Sequence, residues 1–146
     1  MNNYFDYFNY THGLMNQNQN NYNMINEQDD YNIDPYVGFI RGNLFDNTYV
    51  PYKNYNPARL NPKNEQENDL LLVQIYGFAA HELTLYLDTH PNDNKAIKLR
   101  SKYMNLYKQA LEQYENKYGP INLSSSLLDE TPWGWNTEYW PWEGVN

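Results

Sequence analysis

Pro91 divides the most regular part of the chain into two halves, and this break constrains the fold more than any other feature. Upstream runs EQENDLLLVQIYGFAAHELTLYLDTH; downstream, after Pro-Asn-Asp, runs NKAIKLRSKYMNLYKQALEQYENKY. Both halves carry apolar residues at spacings of three and four, the period of one helix face. Proline lacks a backbone N–H and disfavours helical backbone in the residue before it, so the first helix must stop there. Asn92 or Asp93 can cap the second helix, and Gly119-Pro120 ends it. The acids Glu65, Glu67 and Asp69 suit the positive end of the first helix. At about 1.5 Å per residue each helix would run roughly 35 Å. So short a turn makes the two antiparallel neighbours.

The stripes say which faces pack. In the first helix Leu72, Tyr76, Ala79, Leu83 and Leu87 form one stripe, and Leu71, Ile75 and Phe78 a second beside it. In the second helix Ile97, Met104, Tyr107, Leu111, Tyr114 and Tyr118 lie on one seam, with Arg100 taking one position. Ala96, Leu99, Tyr103, Leu106 and Ala110 flank it. Both stripes are wider than a two-helix contact needs. A lone hairpin is also shorter than the roughly 70–80 residues at which a single core usually suffices. Its second apolar face therefore needs a cover: the flanking segments, another copy, or a different protein.

Three zones follow. Residues 1–32 include ten Asn, the rest being mostly Tyr, Gln and Phe, and show no helical or strand period. They cannot bury enough apolar area to offset their ordering entropy and are expected to be disordered. Residues 33–64 mix aromatics with Pro35, Pro51, Pro57, Pro62, Gly38 and Gly42. The prolines forbid a long helix, so this reads as an extended docking segment. Residues 65–146 hold the hairpin and a tail, PWGWNTEYWPWEG, with all four tryptophans. The expected fold is all-α: a single antiparallel two-helix hairpin, an extended and largely irregular N-terminal segment, and an aromatic C-terminal tail.

Charge narrows the function. The chain carries −8 overall, and residues 120–146 have four acids and no base. Nucleic-acid binding and anionic membranes are disfavoured, because both call for a basic surface. With no cysteine, disulfides and thiolate metal sites are excluded. The N-terminus has neither the basic start nor the apolar core of a signal peptide. The apolar run Leu70–Ala80, interrupted by Gln74, is expected to be too short and too polar to span a bilayer.

No catalytic constellation emerges. His81-Glu82 opens like a zinc-protease motif, but HELTL lacks the second histidine. His12 lies in the low-complexity zone, and His90 suits the end of a helix. Glu82 is alone in mid-helix, while Glu112 and Glu115 lie among lysines as a solvated face would. Ser124, Ser125 and Ser126 read as a polar loop. A helix-turn-helix unit invites comparison with tetratricopeptide repeats, but no second copy follows. No cofactor and no metal are expected.

Certain residues carry a resemblance. Leu85-Tyr86-Leu87-Asp88-Thr89-His90-Pro91-Asn92-Asp93 with Ala96, then Tyr114-Glu115, then Tyr118-Gly119-Pro120, resemble the signature of the CotJB spore-coat family. Pro132-Trp133-x-Trp135 and Trp140-Pro141-Trp142-Glu143 resemble its closing Pro-Trp-Pro-Trp element. The resemblance covers residues 68–143. Tyr49-Val50-Pro51-Tyr52 resembles a short aromatic-Pro element of the companion coat protein CotJA.

The resemblance implies a non-enzymatic coat structural or assembly protein, made in the mother-cell cytoplasm and carried into the inner coat. It implies CotJA-like and manganese-catalase-like CotJC companions as partners, with self-association alongside. The alternative it suggests is an accessory subunit of a peroxide-handling, manganese-catalase-like complex. His81 and Glu82 are not read as ligands of such a site. The residues themselves point to docking, through Leu71, Ile75 and Phe78 on the first helix and Trp133, Trp135, Trp140, Pro141 and Trp142 in the tail. Trp133 and Trp135 are expected to help close the hairpin, and the final Trp-Pro-Trp to reach outward.

Overall fold

The computed structural model describes residues 34–129 and 131–136. The chain divides into two units, 1–30 and 31–146. The first, and with it most of the segment expected to be disordered, lies outside the described residues, as do Trp140, Pro141 and Trp142.

Among the described residues three α-helices make the fold: α1 Pro35–Arg41, α2 Glu65–Thr89 and α3 Asn94–Tyr118. The long pair is the expected antiparallel hairpin, but the fold is not a simple two-helix hairpin. A third helix, α1, packs on α2. The N-terminal segment is thus not largely irregular where it meets the hairpin. The physical reason is local. Asp34 caps α1 by accepting from the N–H groups of Tyr36 (2.9 Å) and Val37 (3.2 Å). Pro35 takes the first helical position, where its missing N–H costs nothing. Gly42 ends the helix at φ 74°, a conformation open chiefly to glycine. Proline forbade a long helix here, but not a short one that it starts.

The segment after α1 turns back onto α2. Leu44 is fully buried. Arg41 ties the return by donating to the carbonyls of Asn43 and Leu44, pairing with Asp46, and lying over the Tyr49 ring. Phe39 meets Phe78 edge-on at 5.8 Å, and Phe45 packs on Tyr86 at 5.0 Å. The apolar face left over by the hairpin is therefore covered by the chain's own residues 34–45. Farther along, the Leu60 N–H donates to the Tyr36 hydroxyl (3.1 Å).

Asn64 caps α2 through the Glu67 N–H (2.8 Å), and the Glu67 carboxylate reaches back to the Lys63 N–H (2.7 Å), a reciprocal box. The buried apolar residues of the long helices are Leu71, Leu72, Val73, Ile75, Tyr76, Ala79, Ala80 and Leu83 on α2 and Ala96, Leu99, Tyr103 and Tyr114 on α3. Ala96, Leu99 and Tyr103 come from the stripe expected to flank, and Tyr114 from the expected seam. Ile97, placed on the seam by sequence, is 41% exposed. Its neighbour Ala96 faces inward instead, because the small side chain allows close approach beside the turn. Gly77 lets the Tyr107 ring lie directly on α2.

By length and composition α2 could cross a membrane, contrary to the expectation drawn from Leu70–Ala80. Eight of its apolar residues, Leu71, Leu72, Val73, Ile75, Tyr76, Ala79, Ala80 and Leu83, are buried, and a core helix has this composition for that reason.

Candidate partner-docking surface

The hairpin signature turns out to lock a turn. Asp93 caps α3 by accepting from the Lys95 (3.1 Å) and Ala96 (3.0 Å) N–H groups, and its second oxygen accepts from the Tyr86 hydroxyl (3.1 Å). The His90 ring stacks parallel on Tyr86 at 4.2 Å, and its Nδ1 lies 2.9 Å from the Thr89 hydroxyl. Tyr86, Thr89, His90 and Asp93 thus hold one end of the hairpin together. One turn along, the Arg100 Nε donates to the Thr84 hydroxyl (2.9 Å).

The opposite end is held by charge. Lys117 Nζ lies 2.8 Å from Asp69 and 2.7 Å from Glu65. Asp69 is buried and also accepts from the Tyr118 hydroxyl (3.3 Å). Hydrogen bonds from the ammonium to Asp69 and Glu65 push the Lys117 pKa well above its ordinary value. Burial pushes the Tyr76 phenol up as well.

From this end the tail departs. Glu115, which sequence placed on a solvated face, is buried. Its carboxylate accepts from the Ile121 N–H (3.2 Å) and the Ser125 hydroxyl (2.8 Å). A carboxylate can hold both donors at once, and a buried one needs them. The tail is then pinned by Leu128, which is 4% exposed and belongs to the 3₁₀ turn Ser126–Leu128. A second 3₁₀ turn, Gly134–Asn136, packs on the first.

The tail root leaves apolar side chains in water. Trp133 is 55% exposed and Leu123 68%, with Ile121 and Leu127 also exposed. Leu128, not Trp133, does the closing expected of the first tryptophan pair; Trp135 is half-buried. On the other flank Val50, Tyr52, Tyr55 and Leu60 are exposed. Of the α2 residues singled out for docking, Leu71 and Ile75 lie in the interior, and Phe78 is half-buried against Phe39. Sequence pattern missed the Glu115 latch. Its signal was there, an acid four residues before Gly-Pro, followed by serines.

Among the described residues no group of three or more His, Asp or Glu is placed to hold a metal ion. His81 is exposed, and Glu82 accepts from the Leu44 N–H (3.5 Å), which gives it a part in seating the N-terminal segment.

A family model described as CotJB protein matches residues 67–143, just over half of the chain. The chain belongs to the CotJB family. This makes it a spore-coat protein with a structural or assembly role that works among other coat proteins. The CotJB match begins at the cap of α2, runs through both locked ends of the hairpin, and takes in the tail latch and the tryptophans. Comparison with curated proteins and with solved structures finds no match.

Proposed function

We propose that this CotJB-family protein is a docking adaptor of the inner spore coat. It is made in the mother-cell cytoplasm and recruits coat partners through its tryptophan tail. The observation that carries the reading is the tail root: Glu115 and Leu128 anchor it rigidly, while Trp133 stays 55% exposed. An anchored aromatic side chain offers large contact area at little entropic cost on binding. Trp135, Trp140, Pro141 and Trp142 extend the same chemistry along the sequence. Phe78, half-buried beside Phe39, contributes at the edge of the helical face, with Leu71 and Ile75 supporting it from beneath.

The segment with Val50 at 86% and Tyr52 at 75% exposure is a second contact region, in keeping with its resemblance to CotJA. The partners proposed are the CotJA-like and manganese-catalase-like CotJC companions. In domain terms, residues 65–146 form the adaptor body, residues 33–64 the docking segment, and residues 1–32 a low-complexity extension.

Co-expression with each companion, followed by pull-down with and without residues 131–146, tests this. Retention of the partner should fall on deletion. Equal retention by both forms would remove the tail from the contact.

A further inference from the structure

Sixteen residues of the chain are Tyr and none is Cys. Thiols are the side chains most readily oxidised to a covalent link, and here none competes for an oxidant. Phenols can be joined oxidatively as well. Which of them an oxidant reaches is decided by the fold.

Most described tyrosines are held inside or engaged. Tyr76, Tyr103 and Tyr114 are buried. The Tyr36 hydroxyl accepts from the Leu60 N–H (3.1 Å), and the Tyr114 hydroxyl from the Gln66 side-chain amide (3.2 Å). Those of Tyr86 and Tyr118 donate to Asp93 (3.1 Å) and Asp69 (3.3 Å). Tyr49 lies under Arg41, and the Tyr107 ring lies against Gly77.

Tyr52 and Tyr55 differ. Among the described tyrosines only these two are exposed, at 75% and 62%. They stand at the two ends of one turn, closed by the Tyr55 N–H donating to the Tyr52 carbonyl (2.8 Å). Inside it Lys53 adopts φ 45°, a left-handed conformation uncommon for a residue with a side chain. Pro51 enters the turn at φ −67°, the angle its ring fixes. The Lys53 ammonium lies 5.2 Å from the Tyr52 ring centre. Among the described residues neither phenol packs on another ring. The two are therefore open to solvent and not in place to join each other.

We infer that Tyr52 and Tyr55 are sites of oxidative cross-linking between copies of this chain. Each phenol gives one electron and one proton to a one-electron oxidant driven by hydrogen peroxide. Two phenoxyl radicals on different chains then form a C–C bond between ring carbons ortho to the oxygens. The hydrogen on each of those carbons moves to its oxygen, which restores both phenols as dityrosine. The two electrons and two protons released reduce one hydrogen peroxide to two waters. One reactive phenol per chain would stop at a dimer, whereas two extend the product into longer chains. The link requires no tail contact and no companion, so it goes beyond the adaptor reading.

The purified full-length chain, treated with hydrogen peroxide and a haem peroxidase, tests this. Covalent dimers and longer products should appear on a denaturing gel, together with dityrosine fluorescence. Tryptic mass spectrometry should find the peptides 42–53 and 54–59 in linked pairs from different chains. Fragment ions separate Tyr52 from Tyr49 in the first. A mixture of isotopically heavy and light protein identifies links between chains. Tyr52→Phe with Tyr55→Phe should lose those linked peptides, and circular dichroism establishes that this variant folds. Tyr103→Phe, at a buried site, should leave them unchanged. Dityrosine mapped wholly to other tyrosines, a link confined to one chain, or no dityrosine at all overturns the inference. No companion is present, so none of these results bears on the adaptor role.

Discussion

The Ser125 hydroxyl donates to the Glu115 carboxylate at 2.8 Å, with both residues buried, and this bond fixes where the C-terminal tail leaves the hairpin. The same carboxylate takes the Ile121 N–H, so the chain reverses after Gly119-Pro120 around one acid. Ser125→Ala removes one of its two donors. The expected loss is about 1–3 kcal/mol, the cost of leaving a buried polar group short of a partner. Urea unfolding measures it. Limited proteolysis should also show faster cutting near Leu123 and Leu127. An unchanged midpoint and cutting pattern would mean that Leu128 alone holds the root.

At the other flank, Gly38 gives Leu44 its place. A Cβ on Gly38 would stand 2.9 Å from the Leu44 Cδ1 and 3.0 Å from its Cα. Gly38→Ala should therefore lift the segment from α2, at about 1–3 kcal/mol for overpacking. Leu44→Ala should cost about 2–5 kcal/mol through the cavity it leaves. Thermal unfolding compares the two. In each, protease sensitivity should rise across residues 46–60 before the long helices melt.

Alkali should unfold the protein from two sites. The Lys117 pKa is raised in the folded state, chiefly by its hydrogen bond to Asp69, so this contribution is full below the ordinary lysine value of 10.5 and fades above it. Burial raises the Tyr76 phenol from 10.0, so the unfolded chain releases that proton first, and stability again falls with rising pH. Tyr76→Phe should make the loss above about pH 10 shallower. Asp69→Asn should lower stability at neutral pH and also flatten the alkaline limb. Thermal midpoints from pH 7 to 11 test both. A limb of equal steepness in all three proteins would refute the assignment.

Trp133 and Leu128 should separate binding from folding. Trp133→Ser, at a site 55% exposed, is expected to shift stability by less than about 1 kcal/mol. Leu128→Ala, at a site 4% exposed, should cost about 2–5 kcal/mol. Calorimetry gives the stabilities and companion pull-down gives the binding. Loss of fold in the tryptophan variant would place its indole in the core.

Much of this was legible residue by residue. The two long helices, their break at Pro91 and the Asp93 cap follow from periodicity and local backbone chemistry. Helix α1 was legible too, since Asp34-Pro35 and Gly42 bracket it with the usual start and stop residues. The density of prolines beyond it obscured that signal. The α3 stripes could not be ranked, because both have helical spacing and only the facing helix decides between Ala96 and Ile97. For docking, sequence identified the aromatic tail residues and expected Trp133 and Trp135 to close the hairpin, whereas Trp133 is 55% exposed and Trp135 half-buried.

By itself, the sequence determined the two long helices, their order and the family signature, because propensity, capping and proline geometry act over a few neighbouring residues. Only the tertiary structure decided what covers the hairpin and what stays exposed. Leu44 reaches Glu82, Ser125 reaches Glu115, and Lys117 reaches Asp69 across separations no local rule spans. Those contacts depend on how packed faces orient one another. They turned a bare two-helix hairpin with loose ends into a three-helix body that presents a rooted tail.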